Sequence, residues 1–428
     1  MKAVPLPAAL FTLNRESLVK KLLPRSLAML NANDIMPTNA DGSLGHLQNA
    51  DLFYLTGVHQ EETMLLLAPD AFDPSHREIL FVRQPNEQLA IWEGHKLTKE
   101  AATKISGIKN VKWLSEFPVI FRQVICEMEN VYLNSNEHQR ADVTVETRDV
   151  RFIRDCQKSF PLHRYQRLAP LLHALRVVKS SYEIDAIQAA CDLTGKGFKR
   201  VCKFLKPGVN EAEVEAVFAH EFIRHKGQFA YPPIIASGAN NNILHYGQND
   251  QVCKKGGLLL LDVAAGLGNY MSDLTRTIPV SGRFTRRQKQ VYNAVLRIFR
   301  AQVAALVPGK TTKDLRTECE AITAKECVDL GLLKMSQIKK QTPDNPAVRP
   351  FFMHGVSHPI GLDVHDVTYN HFKIEPGWVL TVEPAIYLKD EGFGVRIENT
   401  VVVTENGQID LMAHIPIEAD EIEDLMHR

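Results

Sequence analysis

The sequence predicts an α/β chain of two domains, a small N-terminal α/β domain and a larger C-terminal domain that contains a repeated unit. Its 428 residues are too many for one ordinary core. Strand-like and helix-like runs alternate over about the first 170 residues. In the second half, Pro207-Gly208 and, 101 positions later, Pro308-Gly309 each separate one helical pattern from the next, which indicates a duplicated helix hairpin.

The elements of the first domain follow from the hydrophobic pattern. Strands are predicted at Met64–Leu67, Glu78–Val82 and Val131–Leu133, and a helix is predicted at Glu16–Asn31.

The domain boundary is predicted from the start of the next helix. In Ser180-Ser181-Tyr182-Glu183, the serine and glutamate side chains can satisfy each other's backbone amides, as in a capping box. We therefore place the boundary near residues 172 to 178 and assign residues 1–174 and 175–428 to the two domains.

Composition excludes several classes of partner. The chain is 45% hydrophobic and 23% charged, with 50 basic and 50 acidic residues, which is typical of a globular protein and predicts no nucleic-acid partner. No run approaches the roughly 20 apolar residues of a membrane span. The seven cysteines form no Cys-x-x-Cys pair, so we expect reduced, buried thiols and a cytoplasmic protein.

Two predicted β-hairpins each bring acidic residues together. In the first, the apolar strand Leu258–Asp262 precedes Gly266-Leu267-Gly268 and a second strand, Tyr270–Val280. A turn centred between residues 267 and 268 places Asp262 directly opposite Asp273. Opposed side chains lie about 4.5–5.5 Å apart at Cβ, so two carboxylates there repel each other unless a cation lies between them.

The second hairpin has the same character. Strands Val379–Glu383 and Val395–Val403 flank a loop centred between residues 390 and 391, which places Glu383 opposite Glu398. Edge strands with each carboxylate in water are the alternative interpretation. Two such pairs beside a histidine-rich segment favour a cation site.

A calcium loop is excluded for the first hairpin. Ala264 stands at the third position of that segment, where the loop requires an oxygen ligand.

Three histidines lie between the hairpins, at 354, 358 and 365. His354 and His358 have the spacing of a zinc-protease helix, but the glutamate of that motif is missing, and Gly355 and Pro359 oppose a helix. His245, in an apolar stretch, is either a fourth candidate or a packed core residue.

An imidazole with four carboxylates forms an oxygen-rich site suited to manganese, iron, cobalt or zinc, and manganese is the first choice. Two such ions acidify a water molecule and polarise a carbonyl together. This chemistry predicts hydrolysis of an amide or an ester.

Several segments carry a family resemblance. They are Gln48–Gly57, Ala236–Gly238, Leu244–Tyr246, Leu261-Asp262, Ser272–Thr277, Arg349–Gly355, Gly361–Val367, Val382–Pro384 and Arg396–Glu398. They closely resemble aminopeptidase P and, more broadly, the pita-bread family of prolidase, methionine aminopeptidase and creatinase. The resemblance covers essentially the whole chain. It implies a creatinase-like N-terminal domain and a pita-bread α+β catalytic domain with a pseudo-two-fold repeat.

The resemblance implies a dinuclear metal site. Its ligands would be Asp262, Asp273, His358, Glu383 and Glu398, with Asp273 and Glu398 shared by two divalent ions. Glu383 would be the general base for a hydroxide that bridges the ions.

Other residues are implied to handle the substrate. His245 and His365 would bond the scissile carbonyl and its oxyanion, His354 would line the proline side, and Arg396 would steady a carboxylate. Trp92 resembles a tryptophan that aminopeptidase P lends to a neighbouring subunit's site. The N-terminal domain would then supply oligomer contacts and part of the substrate site in a homodimer or homotetramer.

Some positions depart from the family. Ala264, Thr368 and Ala385 stand where glycine is usual, and Asn399 with Thr400 replaces an acidic pair. These changes put subsite shape and substrate preference in doubt.

The predicted reaction is hydrolysis of the bond between an N-terminal residue and a penultimate proline, in Xaa-Pro-Yaa peptides. The alternative is a prolidase, which accepts only the dipeptide Xaa-Pro. Ser357 and the lead-in Arg349–Met353 favour aminopeptidase P, because prolidases more often have glycine at 357. A non-catalytic pita-bread protein that binds peptides is a third hypothesis, against which the complete ligand set and His365 argue.

Overall fold

A computed structural model of the protein describes residues 6–342 and 345–427. In this range the chain forms two compact units, the first ending at Arg176 and the second beginning at Val177. Both units combine helices with sheets, so the predicted α/β class is confirmed.

The first unit contains one mixed sheet. Its helices are α1 Ala8–Val19, α2 Ala50–Thr56, α3 Glu87–Glu93, α4 Lys99–Ser106, α5 Phe117–Ile125, α6 Arg148–Ser159 and α7 Ala169–Arg176. Its strands are β1 Ser26–Asn31, β2 Met64–Leu67, β3 Glu78–Val82, β4 Val111–Trp113, β5 Asn130–Leu133 and β6 Arg164–Arg167. They lie in the order β4-β3-β2-β1-β5-β6.

The strand predictions in this unit are confirmed at β2, β3 and β5, but the helix predicted at Glu16–Asn31 is wrong. The helix ends at Val19, and residues 26–31 form β1 in the middle of the sheet, with every residue buried. Pro24 separates the two elements. Pairing with β2 on one side and β5 on the other outweighs the local preference of this segment for a helix.

The second unit contains small sheets and long helices. Its helices are α8 Ser181–Phe204, α9 Glu211–Arg224, α10 Arg286–Ala305, α11 Thr312–Asp329, α12 Met335–Ile338 and α13 Ala419–Met426. Its strands are β7 Gln228–Phe229, β8 Ile234–Ser237, β9 Leu258–Asp262, β10 Ala265–Leu267, β11 Tyr270–Met271, β12 Thr275–Pro279, β13 Val379–Val382, β14 Ala385–Leu388, β15 Phe393–Arg396, β16 Asn399–Thr404 and β17 Gly407–Asp410.

The predicted repeat is present in this unit. The helix pairs α8/α9 and α10/α11 both have their second helix capped just after the Pro-Gly pair, by Asn210 and by Thr311. Each pair precedes a three-stranded sheet, β12-β9-β8 or β13-β16-β17. The two halves meet where Thr275 forms an antiparallel bridge with Glu398, which brings the acidic segments of both hairpins together.

The cysteine prediction holds with one exception. All seven cysteines lie in the described residues and are free thiols, and six of them are buried. Cys126 is exposed, so the prediction of burial is wrong there. Within the described ranges, no helix has the length and apolarity needed to cross a membrane.

Candidate metal centre

The first acidic hairpin forms, but the predicted pairing of Asp262 with Asp273 is wrong by two residues. Asp262 lies opposite Thr275. The turn is centred one residue later than predicted, because Gly268 and Asn269 both adopt positive φ, as a two-residue hairpin turn requires. A two-residue shift preserves the face of the strand, so Asp273 stays on the side of Asp262 as its diagonal neighbour.

Tyr231 joins these two carboxylates. Its hydroxyl oxygen lies 2.7 Å from Asp262 Oδ1 and 2.7 Å from Asp273 Oδ1. A hydroxyl has one proton to donate, so both contacts are hydrogen bonds only if one carboxyl group is itself protonated. Sequence reasoning missed Tyr231, because nothing local to Ala230-Tyr231-Pro232 indicates contacts 31 and 42 positions away.

The second acidic hairpin keeps its predicted register. Val382 pairs with Asn399 and Ala385 with Arg396, on either side of Glu383 and Glu398. Both glutamates lie where one strand ends and the next begins, outside the regular ladders.

His358 is oriented towards these carboxylates. Its backbone N–H donates to Thr381 Oγ1, and its Nδ1 lies 3.1 Å from Pro359 O. A carbonyl only accepts, so Nδ1 donates to Pro359 O, which leaves Nε2 as the ring nitrogen that can bind a metal ion. Nε2 lies 3.5 Å from Asp273 Oδ2 and 3.8 Å from Glu383 Oε1.

Three of the candidate ligands form a tight cluster. One ligand atom from each of Asp273, His358 and Glu398 lies within 4.8 Å of the others, and all three residues are buried. Burial raises the pKa of Asp273 well above its usual range, and the charge of Asp262 raises it further. Burial also raises the pKa of Glu398, together with the charges of Asp273 and Glu383.

Arg396 connects the remaining parts of the site. Its Nη2 lies 2.6 Å from Asp262 Oδ2, and its Nη1 donates to Tyr387 Oη at 2.7 Å. Its Nε donates to Thr275 Oγ1, which in turn donates to Glu398 Oε2. The guanidinium therefore orients two candidate ligands at once, one directly and one through a threonine.

His354 is held as a neutral ring. Its Nδ1 lies 2.6 Å from Gly355 O, and its Nε2 lies 3.0 Å from Tyr387 Oη. Burial lowers its pKa to about 3, and the positive charge of Arg396 acts in the same direction, as does His245. A neutral imidazole here can pack against an apolar group without a charge that needs solvation.

The other predicted substrate residues have different surroundings. His365 packs edge-on against His358, with ring centroids 4.4 Å apart, while its side chain remains exposed. His245 is exposed and close enough to His354 to influence its pKa. Trp92 lies on α3 of the first unit with 81% of its side chain exposed, and its role stays a prediction.

Residues that depart from the family take part in the site's support. Thr400 Oγ1 accepts from Asp273 N and donates to Asp273 O, and Asn399 Nδ2 donates to Asp410 Oδ2. Ala264 and Ala385 are buried, and Thr368 is half-buried.

The donor set fits divalent cations. Four carboxylates and one imidazole offer hard oxygen ligands and one nitrogen, which suits manganese, iron, cobalt or zinc. The raised pKa values of Asp273 and Glu398 indicate excess negative charge that bound cations would neutralise.

Comparisons with known proteins place this site in a family. Residues 185–405 match the model for metallopeptidase family M24, and residues 11–132 match the aminopeptidase P N-terminal domain. The Xaa-Pro aminopeptidase of Escherichia coli is 33% identical, over 97% of each chain. Zinc-substituted E. coli aminopeptidase P with product has a TM-score of 0.87, at 32% identity and 99% coverage of both chains. Another structure of that protein, with the inhibitor Pro-Leu, gives the same values.

The fold and the site thus define a metal-dependent aminopeptidase. The chain belongs to metallopeptidase family M24, among the Xaa-Pro aminopeptidases. The prolidase alternative is not favoured, since curated relatives that match nearly the whole chain are Xaa-Pro aminopeptidases.

Proposed function

We propose that the protein hydrolyses the bond between an N-terminal residue and a penultimate proline, with Xaa-Pro-Yaa peptides as substrates. The observation that carries this proposal is the convergence of Asp273, His358 and Glu398, from three separate segments, within 4.8 Å. The name of the E. coli relative and the Pro-Leu inhibitor bound to it support a proline-directed reaction.

The proposed ligands are Asp262, Asp273, His358, Glu383 and Glu398, and they would hold two divalent ions, with Mn²⁺ as first choice. The oxygen-rich donor set supports this choice over a soft metal ion that prefers thiolate ligands. Bound ions would supply an acidified water molecule and a polarised carbonyl.

The chain's own residues would handle the protons and the substrate. Glu383 accepts a proton from the attacking water and returns it to the proline nitrogen as the C–N bond breaks. His245 and His365 donate to the carbonyl oxygen as negative charge develops on it. Neutral His354 contacts the proline ring, and Arg396 keeps Asp262 and Thr275 in place.

The decisive experiment compares a tripeptide with a dipeptide. Protein loaded with Mn²⁺ should release the first residue of Xaa-Pro-Yaa, and Glu383→Ala should lower kcat by about 10²–10⁴-fold. Glu405→Ala, at an exposed glutamate of the same unit, is the matched control and should retain parental activity. Cleavage of Xaa-Pro alone would establish the prolidase alternative, and full activity of Glu383→Ala would refute the mechanism.

We also propose that the protein is a cytoplasmic homodimer or homotetramer in which Trp92 completes a neighbouring subunit's substrate site. The exposure of Trp92 and the seven free thiols support these two proposals. Trp92→Ala should raise KM for a tripeptide without changing kcat. A parental KM in Trp92→Ala would refute the role of Trp92. Light scattering that finds the parent protein to be a monomer would also refute it.

A further inference from the structure

A buried ion pair lies next to the histidine segment. Lys179 Nζ lies 3.0 Å from Asp366 Oδ2, and both side chains are only 1% exposed. Removing two charges from water is costly, so such a pair adds little to stability over apolar residues of the same volume. Its position, one residue from His365, suggests a role in orientation.

The lysine extends from a fixed backbone. Lys179 N donates to Gly377 O at 2.8 Å, and Val178 forms a β-bridge with Trp378, just before β13. Gly377 has a φ of +92°, and a Cβ there would lie 2.9 Å from Val178 Cγ1 and 3.1 Å from Lys179 O. Only glycine permits this close approach.

The aspartate closes the loop that begins at His358. Asp366 N donates to Pro359 O at 2.9 Å, and Asp366 Oδ1 accepts from Val367 N at 2.9 Å. Gly361 lies over the ion pair, because a Cβ there would be 2.2 Å from Asp366 Oδ2 and 2.9 Å from Lys179 Cε. The loop therefore packs around the pair without spare space.

His365 is carried by this loop. Its ring meets the ring of His358 at 90° with 4.4 Å between centroids. The backbone of His365 is bonded to that of Asp366, so holding the Asp366 side chain restricts where the imidazole can lie.

We propose that Lys179 and Asp366 are positioning residues, which hold His365 against His358 and act on catalysis through His365. The inference rests on the proposed function, in which His365 donates to the developing oxyanion. Such donors work only when their geometry is held to within about 0.5 Å, and losing an outer partner typically costs about 10–100-fold in activity.

The test removes both charges together. Lys179→Met combined with Asp366→Asn keeps the volumes and the bond from Val367, whereas either change alone leaves a buried unpaired group that destabilises the fold. In the full-length Mn²⁺-loaded protein, we expect parental metal content and a kcat for Xaa-Pro-Yaa lowered about 10–100-fold. KM should stay within about twofold, since the oxyanion forms only in the transition state.

A His365→Ala background distinguishes positioning from a general structural role. There the double substitution should change kcat by less than about twofold, because the group on which it acts is gone. Equal losses in both backgrounds would overturn the proposal. Arg297→Met with Glu326→Gln removes an ion pair of 2.6 Å elsewhere in this unit and should leave kcat unchanged.

A second variant perturbs the pair without removing charge. Gly361→Ala places a Cβ against Asp366 and should show the same loss of kcat and the same dependence on His365. If the double variant Lys179→Met/Asp366→Asn does not fold, the Gly361→Ala variant tests the positioning role in its place.

A crystal structure of the variant protein gives a readout that is independent of activity. We expect the His365 ring to be displaced from its 4.4 Å contact with His358 or spread over several positions. An unchanged ring would refute the positioning role. If the parent protein fails to cleave Xaa-Pro-Yaa, the proposed function fails, while a displaced ring still supports the role of the pair.

Discussion

Buried carboxylates are balanced in different ways in the first unit and at the candidate metal centre of the second unit. In the first unit two buried carboxylates each have a cationic partner: Asp51 accepts from Arg176 Nη1, and Glu61 Oε1 lies 2.6 Å from Lys96 Nζ. In the second unit, Asp273 and Glu398 lie among other carboxylates, which raise their pKa values beyond the effect of burial. The first arrangement satisfies the charges within the chain.

The second arrangement has more negative charge than its donors balance. Arg396 forms an ion pair with Asp262, while Tyr231 and Thr275 supply neutral hydroxyl groups. Like charges held this close are unfavourable in a folded protein unless cations offset them. The first unit thus balances its buried carboxylates with side chains of the chain itself, whereas the candidate metal centre requires added cations.

Removing Asp273, which we propose as a ligand shared by both ions, should give the largest effect. Asp273→Asn should lower kcat by more than about 10³-fold, because the site loses a charge that holds the ions. It should also abolish the rise in melting temperature on adding Mn²⁺. At neutral pH the metal-free variant should melt above the metal-free parent, because asparagine needs neither a proton nor a cation to occupy this buried position.

The measurements are metal content and thermal unfolding with and without Mn²⁺. Asp424→Asn, at an exposed position of the same unit, is the control and should keep the parental metal response. A full Mn²⁺ response in Asp273→Asn would contradict the assignment of this ligand.

Loss of His245, which we propose as a substrate-binding histidine, should have the next largest effect. His245→Ala should lower kcat about 10²–10³-fold, the usual result of removing one oxyanion donor, without changing metal content. His220→Ala, on the outer helix α9, provides the comparison. Steady-state kinetics on Xaa-Pro-Yaa measure kcat for both variants. Equal kcat values for His245→Ala and His220→Ala would refute the role of His245.

Local sequence patterns correctly predict those strands and turns that depend on neighbouring residues alone. The apolar run 258–262 predicts β9 with its observed bounds, and the acidic loop after β14 predicts the register around Glu383. The turn at Gly268-Asn269 is misplaced by one residue, because the left-handed conformation of Asn269 leaves no hydrophobic signal.

Long-range contacts explain what the sequence does not reveal. Residues 26–31 form a strand because both neighbouring strands pair with them, although their pattern also suits a helix. Tyr231 reaches the candidate ligands from a segment without charged or metal-ligating neighbours. Both features depend on partners that are distant in the chain, which a local pattern cannot identify.

Replacing the guanidinium of Arg396 should lower kcat less than removing a metal ligand or an oxyanion donor. Arg396→Lys keeps a positive charge near Asp262 but loses the fork of bonds to Tyr387 and Thr275. We expect kcat to fall about 10–100-fold, with both ions still bound. Arg396→Met should fall further. Equal activity of the lysine variant and the parent would show that charge alone suffices.

The smallest effect on activity is expected for Asp149 in the first unit, whose substitution should change stability and leave kcat unchanged. Burial raises the pKa of Asp149 to about 7, and the bond from Asn31 opposes that rise. The folded pKa exceeds the unfolded value, so the folded state keeps a proton that the unfolded state has lost. The free energy of unfolding should therefore fall as pH rises from about 4 to about 7 and level off above.

Asp149→Asn cannot ionise, so it should lack this component of the pH dependence. Near pH 8, where the parent has lost the Asp149 proton, the variant should gain up to about 4 kcal/mol relative to the parent, compared with pH 4, because each pKa unit of the shift is worth about 1.4 kcal/mol. Urea unfolding at several pH values measures this difference, and kcat should match the parent throughout. If the free energy of unfolding depends on pH in the same way in both proteins, the hydrogen bond from Asn31 alone balances the Asp149 carboxylate. The contrast with the metal site would then rest on the number of neighbouring charges rather than on burial.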